Sequence, residues 1–345
     1  MKDAHPHQLF MKRCLDLAAL GSGKTLTNPT VGAVLVFEDR IIGEGWHRAY
    51  GKPHAEVEAL NSVSAADRHL IPRSTLYVSL EPCSHFGKTP PCADLIINVG
   101  IPKVVIGIRD PNPLVKGNGI QKLKEAGIEV ITPVLKEESS QLISAFSTNQ
   151  HCQRPHVVLK FARSRDGFIG RHGERIALSD PIVNVLTHRL RARSQGIIVG
   201  RITAENDQAE LSTRNFPGRN PFRIVFSISG VTDSSLPVFN NAAPTLLITN
   251  NPPENLPQKV TVIPFRENLK GVLEQLYSHF KISRLLVEGG KQILDLFLEQ
   301  SLWDEVWEIS CPSLLKSGIP APKINPKLLN RSFWIRENQL ENYRR

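Results

Sequence analysis

The stretch SLEPCSHFGKTPPC (79–92) sets two cysteines nine positions apart around a histidine and a lysine. Thiols so placed read as a redox pair, a structural clip or half of a metal site. Five cysteines (Cys14, Cys83, Cys92, Cys152, Cys311) are an odd number in a long chain without an export signal. Metal ligation or burial is then the expected use, not a disulfide framework. Cys14, Cys152 and Cys311 have no polar companions at ligand spacing and read as small buried hydrophobes. A thiolate pair needs two more donors for tetrahedral zinc, and a catalytic site leaves one of them to water. PHAEVEA (53–59) supplies His54 as the third ligand and Glu56 two residues on. In the first turn of a helix both face one end of a sheet, with the Glu56 carboxylate beside the open position and not on the metal. A cation there acidifies a water, and Glu56 is placed to move its proton to a ring nitrogen and a departing ammonia.

His-x-Glu followed by Pro-Cys and a second Cys is the signature of zinc deaminases, although eight residues here separate the cysteines. A structural zinc with His85 as fourth ligand and a non-catalytic zinc-stabilised binding module are the competing readings. An RNA- or DNA-editing deaminase is another, and charge argues against it. Residues 1–150 carry 16 Lys+Arg against 15 Asp+Glu, whereas polyanion binding needs clustered neutralising charge. The excess of the +9 chain lies in the remainder, with eleven arginines from Arg163 to Arg223. Guanidinium forks suit phosphate groups, and the cluster is not interleaved with the aromatics that single strands stack on. A phosphorylated small molecule is the expected partner, and nucleic acid is not. GSGKT (21–25) resembles a phosphate-binding P-loop, but that motif requires glycine at position 18, where Ala18 sits, after a strand that the helical pattern of 7–21 excludes.

The elements that must position these groups alternate. A helical pattern over 7–21 is followed by strands 31–37 and 40–46, a helix over 54–63, and strand 75–80. Helix 91–99, strand 103–109, helix 117–126, strand 128–132 and a helix over 136–149 complete the first half. NQHCQRP (149–155) is polar and ends in proline, which predicts a boundary between domains at 1–149 and 155–345. A second series follows, from HVVLKFA (156–162) through GIIVG, FRIVF, TLLIT, VTVIP and RLLVEGG to DEVWEIS, with helices over 180–194, 269–280 and 291–299. SGIPAPKINPK (317–327) reads as a loop. Apolar runs alternating with amphipathic helices define an α/β chain. No run of 18 apolar residues occurs and the start lacks an apolar signal region, so a soluble, cytoplasmic protein with no membrane partner is expected.

Together NPTVGAVLV, HAEVEAL, LEPCSHFGKTPPC and DPNPLVKGNG resemble the deaminase half of the bifunctional riboflavin-biosynthesis deaminase/reductase family, whose own pattern includes the long cysteine spacing. The resemblance implies a cytidine-deaminase-like three-layer α/β/α domain followed by a dihydrofolate-reductase-like α/β domain. It implies hydrolytic deamination of 2,5-diamino-6-ribosylamino-4(3H)-pyrimidinone 5′-phosphate and NADPH-dependent reduction of its ribosyl group to ribityl. By resemblance His54, Cys83 and Cys92 hold one Zn2+, Glu56 transfers protons, and Asn28, His47, His85 and Lys88 contact substrate. In the second half the resemblance runs through LKFARSRDG (159–167), 190–214 and LLVEGGKQILDLFL (285–298). It assigns Ala162, Thr203, Asp207, Gly290, Lys291, Gln292, Ile293, Leu294, Asp295 and Leu296 to NADPH. It assigns Lys160, Asp166, Arg191, Leu211, Arg214 and Glu288 to the phosphorylated substrate. A homo-oligomer, dimer or tetramer, is implied as well. The chain departs from the family's pattern at Thr27, at Gln208-Ala209, at Ser227 and in a tryptophan missing from 171–180, which keeps open a deaminase whose second domain only binds or assembles.

Overall fold

The structure is a computed structural model that describes residues 6–86, 90–112, 115–228, 233–266 and 268–345. The chain divides into two units, Met1–Gln153 and Arg154–Arg345.

In the first unit, helix α1 (Pro6–Ala19) precedes strands β1 (Gly32–Phe37) and β2 (Arg40–Trp46), helix α2 (Ala55–Asn61) and strand β3 (Thr75–Leu80). Helix α3 (Cys92–Asn98), strand β4 (Lys103–Ile108), helix α4 (Asn118–Glu125), strand β5 (Glu129–Ile131) and helices α5 (Lys136–Leu142) and α6 (Ser144–Cys152) follow. The strands form one sheet in the order β2-β1-β3-β4-β5. Alternation sorts its side chains into two faces. Val34, Val36, Tyr77 and Val105 pack with Phe10, Met11, Cys14 and Leu17 of α1. Ala33, Leu35, Leu76, Val78, Val104 and Ile106 pack with Ala55 and Ala59 of α2, Ala93 and Ile96 of α3, and Ile120 and Leu123 of α4. This is the three-layer α/β/α arrangement. Helix α2 lies flush on β2 because Gly45 has no side chain: a Cβ there would stand 2.3 Å from the Ala59 nitrogen.

The register brings distant segments to one edge. β1 runs antiparallel to both neighbours, with Gly32 opposite Trp46 and Ala33 opposite Val78. β3 and β4 run parallel, with Leu80 beside Ile108. The chain entering β1, the chain leaving β2 and the chains leaving β3 and β4 therefore share one end of the sheet. Such carboxyl ends are where open α/β sheets bind ligands.

The second unit contains β6 (His156–Arg163), β7 (Phe168–Gly170), α7 (Pro181–Ala192), β8 (Gly196–Gly200), α8 (Arg201–Asn206), β9 (Phe222–Phe226), β10 (Thr245–Ile248) and β11 (Val260–Ile263). These are followed by α9 (Leu269–Ser278), β12 (Arg284–Gly289), α10 (Lys291–Glu299), β13 (Glu305–Ser310), β14 (Ile319–Pro320), β15 (Leu329–Ile335) and β16 (Asn338–Arg344). Nine of its strands form a sheet in the order β11-β10-β9-β8-β12-β6-β13-β16-β15, and β14 pairs with β7. β11 through β13 are parallel, and β16 and β15 add an antiparallel edge. Helices α9 and α10 cover one face with Leu273, Leu276, Leu294 and Phe297. Leu190 of α7 and Ala204 of α8 lie in the core on the other.

Three sequence expectations change. Cys14 and Cys311 are buried as expected, but Cys152, the last residue of α6, is exposed. The single helix expected over 136–149 is two, α5 and α6, broken at Ile143. The stretch 317–327, expected as a loop, contains the short strand β14, and the β15–β16 hairpin that follows it is an addition to the expected elements. Among the described residues no helix is long and apolar enough to cross a membrane.

Candidate functional site

Three donors meet at the shared end of the first sheet. His54 is the extended residue that precedes α2, Cys83 lies in the turn after β3, and Cys92 is the first residue of α3. The His54 Nδ1 atom is 3.6 Å from Cys83 Sγ and 3.3 Å from Cys92 Sγ, and all three donor atoms lie within 4.8 Å of one another. Tetrahedral zinc with ordinary Zn–S and Zn–N bonds sets such donors about 3.6 Å apart, so the three fit one zinc ion. His85 is exposed and is not among the clustered donors, so among the described residues the set stops at three.

The local electrostatics suit a cation. Cys83 is pulled well below the usual thiol range, first by its contact with Cys92 and then by His54, against the opposing effect of burial. Cys92 is driven up by Cys83 and by burial. The Cys92 backbone N–H donates to Cys83 Sγ at 3.3 Å, orienting the acceptor lone pairs. Contact with Cys83 raises His54, burial opposing.

Glu56, 3% exposed in the first turn of α2, has its carboxyl pKa raised by burial and by the neighbouring Cys83. It sits against the site without belonging to the ligand set. The His47 ring stands edge-on to that of His54, with centroids 5.6 Å apart. Its Nδ1 is 3.0 Å from the Pro53 carbonyl, which can only accept, so Nδ1 carries the proton. Burial lowers the His47 pKa, leaving Nε2 to accept from the Asn28 amide at 3.2 Å. Asn28 and His47 are thus joined beside His54. Lys88 lies outside the described residues. The sequence reading assigns no role to Glu81 or Asp110, both buried at this end of the sheet.

In the second unit Arg191 and Glu288 form a bidentate pair, Nε to Oε1 at 2.6 Å and Nη2 to Oε2 at 2.7 Å, while Nη1 donates to the Ser212 carbonyl at 2.9 Å. Burial opposes the charge on Glu288, but the Arg191 guanidinium overrides it and holds the carboxyl below its usual range. Lys160 is half-buried nearby, its pKa lowered by desolvation and partly restored by Glu288. Asp207 is raised by burial, with Lys160 acting against the shift. These four form one charged cluster. Arg214 is exposed, contacting Glu210 and Ser212, and Leu211 is buried with φ +53°.

The Asp166 carboxylate accepts from the Leu315 and Lys316 amides at 3.1 and 2.6 Å, which clamps that loop. At the end of β12, Gly290 adopts φ +58° ahead of α10, and a Cβ there would stand 2.9 Å from Thr203 Oγ1. Glycine both permits that backbone and admits the Thr203 hydroxyl. Along α10, Ile293 and Leu294 are core residues, Gln292 is exposed, and Lys291 pairs with Asp295 at 2.8 Å. Ala162 lies on β6, opposite Ile309 of β13.

A three-donor zinc site on an α/β/α sheet, followed by a second parallel α/β unit, fits a zinc-dependent deaminase joined to a reductase domain of the dihydrofolate-reductase type, the class that the family matches define. Comparison with known proteins agrees. Residues 4–108 match the cytidine and deoxycytidylate deaminase zinc-binding region, and residues 155–319 match the RibD C-terminal domain. The chain is 37% identical to the riboflavin biosynthesis protein RibD of Aquifex aeolicus over 341 residues, covering 96% of this chain and 94% of that one. It is 33% identical to RibD of Escherichia coli, covering 90% and 89%. A crystal structure of a diaminohydroxyphosphoribosylaminopyrimidine deaminase/5-amino-6-(5-phosphoribosylamino)uracil reductase from Thermotoga maritima superposes with a TM-score of 0.90 at 36% identity, covering 99% of both chains. Acinetobacter baumannii RibD superposes at 0.85 with 29% identity, covering 98% of both. The chain belongs to the RibD family of bifunctional deaminase/reductases and serves riboflavin biosynthesis by deamination followed by reduction.

Proposed function

We propose that this chain hydrolytically removes the pyrimidine amino group of 2,5-diamino-6-ribosylamino-4(3H)-pyrimidinone 5′-phosphate and then reduces the ribosyl group to ribityl with NADPH. The Thermotoga maritima relative is named for a deaminase and a reductase of this kind. The observation that carries the first step is a buried carboxyl of raised proton affinity, Glu56, beside a three-donor set. Zinc bound there supplies the Lewis acidity that makes water a nucleophile near neutral pH. Glu56 accepts the proton of the attacking water, returns it to the ring nitrogen, and assists departure of ammonia. Asn28 and His47, joined beside His54, orient the pyrimidine, and His85 and Lys88 are assigned to substrate contact by the family resemblance alone.

For the second step NADPH, when bound, would supply the hydride that reduces the ribosyl group, and the protein supplies orientation and charge. Thr203, Asp207, Ala162 and the segment from Gly290 to Leu296 hold NADPH, with buried Ile293 and Leu294 contributing backbone only. Lys160, Arg191, Glu288, Leu211 and Arg214 contact the phosphorylated substrate, while Asp166 shapes the cleft through the 315–316 loop. Cys83 and Cys92 must stay unoxidised to serve as metal ligands, which suits a reducing, cytoplasmic compartment. Trp334, 64% exposed on the edge strand β15, supports a homo-oligomer, which light scattering of the purified protein tests.

The deciding experiment supplies the diamino substrate and follows ammonia, then NADPH absorbance. Both signals are expected in sequence. Ammonia without loss of NADPH absorbance would leave a deaminase alone.

A further inference from the structure

Glu81 follows β3 directly and opens the turn that leads into Cys83, and its carboxylate is engaged by backbone amides. Oε2 accepts from the Asp110 and Gly117 amides, each at 3.1 Å, and Oε1 from the Gly119 and Ile120 amides at 3.0 and 3.1 Å. The residue is 3% exposed. Two of these donors belong to the first turn of α4, whose amides have no partner within the helix, so Glu81 caps that helix from the turn after β3. Gly119 meets the same turn directly: a Cβ there would stand 2.1 Å from the Pro82 carbonyl oxygen.

The ligand turn has other anchors. The Cys92 amide donates to Cys83 Sγ and the Ala93 amide to the Cys83 carbonyl. Asp110 is buried, its carboxyl pushed up to about 6 by burial, with Glu81, His85 and Cys83 all within electrostatic reach. It holds the following chain by accepting from the Asn112 amide at 2.8 Å. Glu81 therefore ties the wall of the site that carries Asp110 to the turn that carries a metal ligand.

We propose that Glu81 is a positioning residue for the deamination, fixing Asp110 and its flanking chain against the substrate side of the centre built by His54, Cys83 and Cys92. This rests on the deaminase reading above. Glutamine at position 81 cannot replace it: whichever way the amide turns, its NH2 group faces two N–H donors. The expected signature is loss of substrate fit with the metal kept.

The test compares Glu81→Gln, Asp110→Asn and the double variant with wild type, measuring zinc per chain and the KM and kcat of ammonia release. Losses at residues supporting a metal site run about 10–100-fold. Glu81→Gln is expected to raise KM about tenfold and leave kcat within about threefold, with zinc unchanged. If Glu81 acts through Asp110, the double variant is no worse than the poorer single one. Unchanged KM, multiplying effects, or loss of zinc in Glu81→Gln each overturn the proposal. Should Glu81→Gln not fold, Glu81→Asp keeps the charge with shorter reach and is expected to raise KM with zinc retained; an unchanged KM there also overturns it. Wild-type protein that binds zinc but releases no ammonia removes the deaminase reading and this proposal together, whereas normal wild-type turnover beside an unaltered Glu81→Gln removes the proposal alone.

Discussion

Replacing Glu288 with glutamine breaks a bidentate ion pair whose side chains are only 13% (Arg191) and 7% (Glu288) exposed. Removing one partner of a buried pair strands the other charge and costs about 3–5 kcal/mol. The Arg191 bond to the Ser212 carbonyl survives the change, which favours the lower end, about 3 kcal/mol. At about 2–4 °C per kcal/mol for a unit of this size, the transition of the second unit should fall by about 6–12 °C. Arg191→Met loses the Ser212 bond as well and should cost about 1 kcal/mol more. The double variant leaves neither charge stranded, so it should resemble the worse single change, not the sum. Urea unfolding followed by tryptophan fluorescence is the assay, since Trp303, Trp307 and Trp334 lie in the second unit and only Trp46 in the first. Additivity of the two single changes within about 0.5 kcal/mol would refute the pair as a coupled unit.

Glu56→Gln should lower kcat for ammonia release by about 10²–10⁴ with zinc still bound, as measured by elemental analysis beside steady-state kinetics. A chelator should abolish ammonia release while leaving NADPH oxidation with the deaminated intermediate, because the zinc donors all lie in the first unit. Gly290→Ala forces φ +58° on a residue with a Cβ and crowds Thr203 Oγ1, so KM for NADPH should rise more than KM for the pyrimidine. In acid, Glu288, Asp304 and Glu305 all have folded pKa values below their usual ones, each burdened by burial but held down by Arg191, by Arg154 and by Arg284 respectively. Their stabilisation is complete above the unfolded carboxylate range near pH 4.5 and is lost as pH falls through the folded values. Thermal melts of the second unit should therefore be flat from about pH 7 to pH 5 in this contribution and drop below about pH 4.

What could be read from residue types was limited to chemistry that demands particular types. Zinc accepts few donors, so His54, Cys83 and Cys92 stand out in the sequence, and the geometry joins them. Strand 75–80 was legible because TLYVSL sets Leu76, Val78 and Leu80 on one face and the strand-favouring Thr75 and Tyr77 on the other. Glu81 left no comparable signal, since its partners are backbone amides that every residue carries. The hairpin β15–β16 was hidden for a related reason. Its inward positions include Asn338 and Asn342, both buried, so the apolar alternation that marks a strand is missing. Asn342 is acceptable there because its amide donates to Glu305 and to the Val306 carbonyl, partners supplied by a strand more than thirty residues earlier. Asp166 shows the same limit on the functional side. Its place in a matched motif suggests a substrate contact, whereas two amides of the 315–316 loop engage its carboxylate. Residue identity thus locates a site wherever the ligand is selective about atoms. Wherever the partner is the chain's own backbone, the role emerges only once the register is known.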